Sequence, residues 1–447
     1  MITSQSRKLP AALALLMAPA LWLERARGRW RLALGALYLV ILVVAAALAW
    51  RASRLYGLPD IGDPFDPTPL RVLDVPEDEN AFTLYRQAHA RARRNEGIER
   101  RIFNAPYAWP GSDPEALAYL AENREALELW RQGCKRPEAL YYRIDALRFT
   151  SKMTLYAEHR HFVRMALVEA SRLRDEGDMA GAWMWYRAIL RGSRLIGRHG
   201  PLIGWLVGVA EYSAAQGFVA SWAADPRVDT PLLRQALDEV RVINEMTVPP
   251  SESIQVEYLS AMHELDDPEA LERYLLEYEY VEPMDGLDKT AWYSHWATFR
   301  WANRFLRHEP ERTRRLLKLA YANILAHCDQ PPGRRPPMIG TKDAPLLLYD
   351  TSSPAGAPSP AALVERLQSS HLFRAVFPAF GSLVRAFDRD RATRAGLVIR
   401  LATELYQREH GRPPDSPEDL VGTYLERLPD GYAGADTPKI DTPKAPR

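Results

Sequence analysis

The closest pair of histidines in the chain sits in Glu158-His159-Arg160-His161. On a helix of 3.6 residues per turn, His159 and His161 stand about 200° apart and cannot share a metal ion. Glu158 and His161 do share a face, but a metal centre takes three or four protein ligands and no third stands beside them. Zinc-hydrolase chemistry would need a second histidine four residues on, which His263-Glu264 and His308-Glu309 both lack. The sequence holds no GxSxG, GxxxxGK[ST] or GxGxxG pattern. Gly192-Ser193 and Gly381-Ser382 are isolated pairs without a nucleophile's surroundings. Glu269, Glu272, Glu277, Glu279, Glu282 and Asp285 form an acidic cluster. Two carboxylates about 5 Å apart in a cleft could hydrolyse a glycosidic bond, but a solvated helix face accounts for the same residues. Trp292, Trp296 and Phe299 recur at i, i+4 and i+7, as in a sugar- or peptide-binding groove or a helical core. Cys134 and Cys328 could pair in an oxidising compartment. No residue is thereby assigned a catalytic, cofactor-binding or metal-binding role.

What positions these residues is a chain of 447 residues, long enough for two or three domains. It is 47% hydrophobic and 26% charged, which excludes wholesale disorder and a many-pass transporter. Its net charge of +1 gives a nucleic-acid partner nothing to hold. Residues 32–50, LALGALYLVILVVAAALAW, are nineteen residues without a charge. At about 1.5 Å per residue they match the hydrocarbon thickness of a bilayer. The bilayer is therefore the first expected partner, through residues 32–50. Arg25, Arg27, Arg29 and Arg31 crowd one flank, and only Arg51 and Arg54 follow closely on the other. The positive-inside rule then puts residues 1–31 in the cytoplasm and the rest outside, as in a single-pass inner-membrane protein. Residues 9–23 form a second apolar run of fifteen, short for a span and broken by Pro10 and Pro19. It can span, lie in the interface or be cleaved without altering that topology. Residues 32–447 carry a net charge of −4, so the body has no electrostatic reason to hug anionic lipid.

Residues 51–75, with Pro59, Pro64, Pro67 and Pro69, read as an extended spacer. Residues 76–330 read as a helical domain and 331–360, with eight prolines, as a loop with room for one short strand. Residues 361–430 turn helical again, and 431–447 read as a disordered tail. Helix starts are marked by an oxygen-bearing residue before proline: Asp113-Pro114, Thr230-Pro231, Asp267-Pro268, Ser359-Pro360 and Ser416-Pro417. Met153, Tyr156, Val163, Leu167 and Ala170 continue from Phe149 as one apolar stripe, and Glu176-Gly177-Asp178 ends that helix. Residues 202–222 are apolar enough to span a membrane, but Glu211 in their middle argues for a buried helix. Stop signals after Leu397, Val398, Leu401 and Leu405 are Gly411, Pro413 and Pro414, with a short helix expected at 417–426.

Two resemblances follow from these residues. Gly177, Ala182 and Tyr186 match the spacing of a tetratricopeptide-type helix pair, in one partial copy. Tyr406, His410, Gly411, Pro414, Leu420, Tyr424, Leu425, Leu428 and Pro429 resemble the helix–YxxxHGxxP–sxexL–yLxxLP pattern of type II secretion pseudopilin-like proteins. The same pattern closes bacterial envelope proteins with one N-terminal anchor and a helical body. The resemblance covers about 45 residues and implies no catalytic residue. The expectation is a mainly α protein: one membrane anchor, a helical-repeat-like extracytoplasmic body, and a binding or scaffold role toward an envelope protein. A hydrolase using the acidic cluster and a secretion-associated component are the alternatives.

Overall fold

The computed structural model describes residues 28–104, 113–148, 151–267, 310–335, 339–340, 345–346, 359–368 and 380–432. The acidic cluster at 269–285 and the aromatic set Trp292, Trp296 and Phe299 lie outside the described residues. The described chain is mainly helical. Helix α1 (Arg29–Tyr56) leads, followed by α2 (Thr68–Arg71), α3 (Ala81–Arg91), α4 (Glu96–Asn104), α5 (Pro114–Glu122) and α6 (Arg124–Gly133). Then come α7 (Thr154–Asp175), α8 (Met179–Leu195), α9 (Leu202–Ala223), α10 (Thr230–Glu245) and α11 (Pro250–Asp266). Helices α12 (Pro310–Leu325), α13 (Pro360–Gln368) and α14 (Phe380–His410) complete the set. A two-residue antiparallel pairing joins β1 (Ile339–Gly340) to β2 (Pro345–Leu346).

Helix α1 leaves Leu39, Val40, Val43, Val44 and Leu48 exposed. It is long and apolar enough to cross a membrane. The chain beyond it is not a free spacer. Helix α1 runs on to Tyr56, and Leu58 is buried in the body. Arg315 donates to the Leu58 carbonyl at 2.9 Å and Arg366 to the Gly57 carbonyl at 2.6 Å. Lys318 pairs with Asp60 at 2.8 Å, and Tyr258 donates to Asp63 at 2.6 Å. Prolines stiffen residues 59–69, but Asp60, Asp63 and the peptide carbonyls of residues 57 and 58 are partners for the body.

Two apolar cores organise the body. The first gathers α3, α6, α7, α8 and α10 with the second half of α14 around Phe82, Trp130, Phe162, Trp183 and Leu401. The second gathers Leu58, α11, α12, α13 and the first half of α14 around Trp205, Ile254, Leu316 and Phe387. Helix α9 serves both, with Val207, Tyr212 and Trp222 in the first and Leu202, Trp205 and Val209 in the second. A helix buried on two faces must be apolar nearly all round, which is why residues 202–222 read like a span.

Caps follow the expected chemistry with small shifts. The Asp113 carboxylate accepts from the Glu115 and Ala116 amides. Before α10 the cap is Asp229, one residue ahead of Thr230, because a carboxylate at that place reaches the Leu232 amide at 2.8 Å. Asp178 caps α8 through the Gly181 amide at 2.7 Å, making α7–Gly177–α8 a tight antiparallel pair. The helix expected at 417–426 is a single 3-10 turn at Pro417–Leu420. Gly422, at φ 92°, reverses the chain so that Tyr424 and Leu425 return to the first core.

Candidate functional site

Helices α6, α8 and α10 enclose an open groove of about 540 Å³. That lies within the roughly 300–1,000 Å³ of small-ligand clefts. Helix α8 supplies Met184, Arg187, Ala188 and Arg191 at i, i+3, i+4 and i+7. Helix α10 supplies Asp238, Glu239, Val242 and Ile243, and the end of α6 supplies Arg131, Cys134 and Lys135. Met184 is 49% exposed and Val242 56%, so the floor presents apolar surface to solvent.

The charges on the walls are not equally occupied. Arg131 is held bidentately by Glu128, and Arg187 by Glu239 at 2.6 Å. Glu239 also accepts from Trp183 Nε1 at 2.7 Å. Arg191 has no carboxylate partner among the described residues. It donates to the carbonyls of Lys135 and Arg136 at 3.4 and 3.2 Å, and its Nε is buried without a partner. Burial lowers its pKa, the signature of an uncompensated cation. Lys135, exposed beside it, forms no ion pair among the described residues. On the facing wall, Asp238 has only a loose contact with Arg241 at 3.7 Å.

Behind the groove lies a buried polar cluster. His159 Nδ1 meets Glu211 Oε1 at 2.8 Å, and both side chains are nearly fully buried. Tyr85 donates to Cys134 Sγ at 3.6 Å. A Cβ on Gly192 would lie 2.8 Å from Cys134 Sγ and 3.3 Å from His159 Nε2, which has no partner. Cysteine, histidine and carboxylate are the components of a thiol nucleophile, but the setting opposes one. Cys134 caps the C-terminal end of α6, where the helix dipole disfavours a thiolate, and burial pushes its pKa well up. Gly192→Ala should cost about 1–3 kcal/mol, because the added methyl meets two buried polar groups. Urea denaturation of the purified chain checks this.

The other sequence candidates separate in space. His161 turns away from His159, toward Tyr119 at 3.2 Å and Glu99 at 3.7 Å. Arg94 spans Glu99 and Glu158 at 3.0 and 2.9 Å, so a guanidinium fills the face that Glu158 and His161 share. Burial lowers the His161 pKa to about 4, with Arg94 adding to the effect. Cys134 and Cys328 are both free and lie in different cores, so no disulfide joins them. The motif at the C-terminus closes the fold. Tyr406 stacks on His410 with centroids 4.1 Å apart, and Tyr424 donates to Glu409 at 2.6 Å. Glu409 in turn pairs with Arg234 of α10 at 2.6 Å.

The corner between α8 and α9 carries three carboxylates. His199, at φ 53°, gives its amide to Glu252, and its ring lies between Glu138 and Glu252 at 3.0 and 3.1 Å. Glu257 accepts from the Leu202 amide at 3.3 Å, yet burial raises its pKa to about 7. Its ordinary value is 4.5, so the unfolded chain loses this proton first and stability falls as pH rises from about 4.5 to 7. Glu257→Gln should raise stability at pH 8 by about 2 kcal/mol, after allowing for partial exposure. At pH 4 it should change little. Thermal melts across that range check the sign.

No family model, curated protein or solved structure matches this chain.

Proposed function

We propose that the chain is a membrane-anchored binding module, with α1 crossing the cytoplasmic membrane and the body outside the cytoplasm presenting the α6–α8–α10 groove to a partner protein. The observation that carries this reading is the pair Met184 and Val242, exposed apolar side chains on the floor of one charged groove. Exposed apolar surface ringed by polar groups is the usual mark of an interaction site. The arginine-rich flank before residue 32 supports the orientation, and the packing of residues 57–63 on the body supports a module held close to the bilayer.

In-cell cross-linking followed by detergent purification tests the reading. The wild-type chain should bring down one envelope protein in stoichiometric amount, and Met184→Asp with Val242→Asp should lose it. A partnerless wild-type chain, or a partner retained by the double variant, would overturn the proposal. An impermeant thiol reagent should label Met184→Cys in cells whose outer layer has been permeabilised, and should not label Ser4→Cys. The reverse pattern would refute the orientation.

A further inference from the structure

The groove's unoccupied charges define what it takes. Two of its four cations, Arg131 and Arg187, are neutralised by Glu128 and Glu239. The other two, Lys135 and Arg191, stand together where α6 ends against α8 and form no ion pair among the described residues; the nearby Glu128 is already engaged by Arg131. Holding a half-buried guanidinium on two peptide carbonyls and the neutral Met246 sulfur leaves its charge unanswered. A ligand carboxylate at that end would supply the missing counter-charge. Across the floor of Met184, Ala188, Val242 and Ile243, Asp238 offers the opposite charge from α10. The groove is therefore cationic at one wall, apolar along its floor and anionic at the other.

We infer that the groove binds a short peptide segment bearing a carboxylate beside aliphatic side chains, its carboxylate at Lys135 and Arg191 and its N–H or ammonium groups toward Asp238. A fatty acid would satisfy the cations and the floor but brings no donor for Asp238. Charge complementarity on both walls thus selects a peptide over a lipid. The inference rests on the binding-module reading and adds the chemistry of the occupant to it.

The test uses the full chain in detergent micelles, immobilised by a terminal tag. The probe is a random tetrapeptide mixture without acidic side chains, prepared once with free C-terminal carboxylates and once as amides. Retained peptides are measured by mass spectrometry. The free-acid mixture should be retained at least ten-fold better than the amide mixture, with aliphatic residues enriched. That preference should vanish in Arg191→Gln and fall several-fold in Lys135→Gln, an exposed substitution that keeps the fold. Oleate at equal concentration should not displace the peptides. Equal retention of acid and amide, a preference untouched by Lys135→Gln, or displacement by oleate would each overturn the inference. A partner cross-linked at Met184 together with any of those results would leave the binding module standing and remove only its peptide-carboxylate chemistry.

Discussion

Asp390→Ala should destabilise the body by about 3–5 kcal/mol, a large share of the roughly 5–15 kcal/mol that holds a domain together. Asp390 of α14 accepts from Arg194 of α8 at 3.0 and 3.2 Å, and both side chains are about 97% buried or more. Arg194 also donates to the Gly208 carbonyl at 3.2 Å and lies over the Tyr212 ring at 4.6 Å. Arg394 adds a second guanidinium on Asp390 at 2.8 Å. Removing the carboxylate strands one fully buried cation and one partly buried cation. The cost is that of an unpaired charge rather than of a lost bond. Arg194→Met placed on top of Asp390→Ala should therefore recover part of the loss, because the stranded charge is gone. The exposed pair Arg412–Asp415 offers the contrast: Asp415→Ala should cost less than about 1 kcal/mol. Denaturant titrations of the three variants check the ranking.

Gly208→Ala should be nearly as severe, at about 3 kcal/mol. A methyl there would run into the carbonyl oxygen of Ser193, on the backbone of α8. A flexible side chain could move aside; a helix backbone packed between α7 and α9 cannot do so without disturbing both cores. Gly217, also on α9, has nothing within 4 Å of its Cβ position. Gly217→Ala should instead stabilise by about 0.5–1 kcal/mol through helix propensity. Opposite signs for the same chemical change on one helix would establish the α8–α9 close approach. Thermal melts of the two variants decide it.

Much of the body was legible because helices announce themselves locally. Apolar stripes, caps at Asp113 and Ser416 and the stop at Gly411 sit within a few residues of the structure they specify. The apolar helix at 202–222 reads as a buried helix rather than a span because one glutamate, Glu211, needs an internal partner, and the structure pairs it with His159. The partner itself, His159, was beyond reach: it is 52 residues away and no local rule links them. The packing of residues 57–63 on α12 and α13 was missed for the same reason, since Arg315 and Arg366 are more than 250 residues from what they grip. The groove left one faint trace. Met184 and Val242 are apolar residues lying off the core-facing stripes of their helices, marked by Trp183, Tyr186 and Ile189 on α8 and by Leu233, Leu237 and Val240 on α10. Such residues become informative only when a fold brings two of them together.

If the α6–α8–α10 groove is the binding surface, a partner must touch its floor. A photo-cross-linking amino acid placed at position 184, in the groove, should trap a single partner protein in cells. The same group at position 117, an exposed leucine on α5 away from the groove, should trap none. Equal trapping at both positions, or trapping at 117 alone, would contradict the claim.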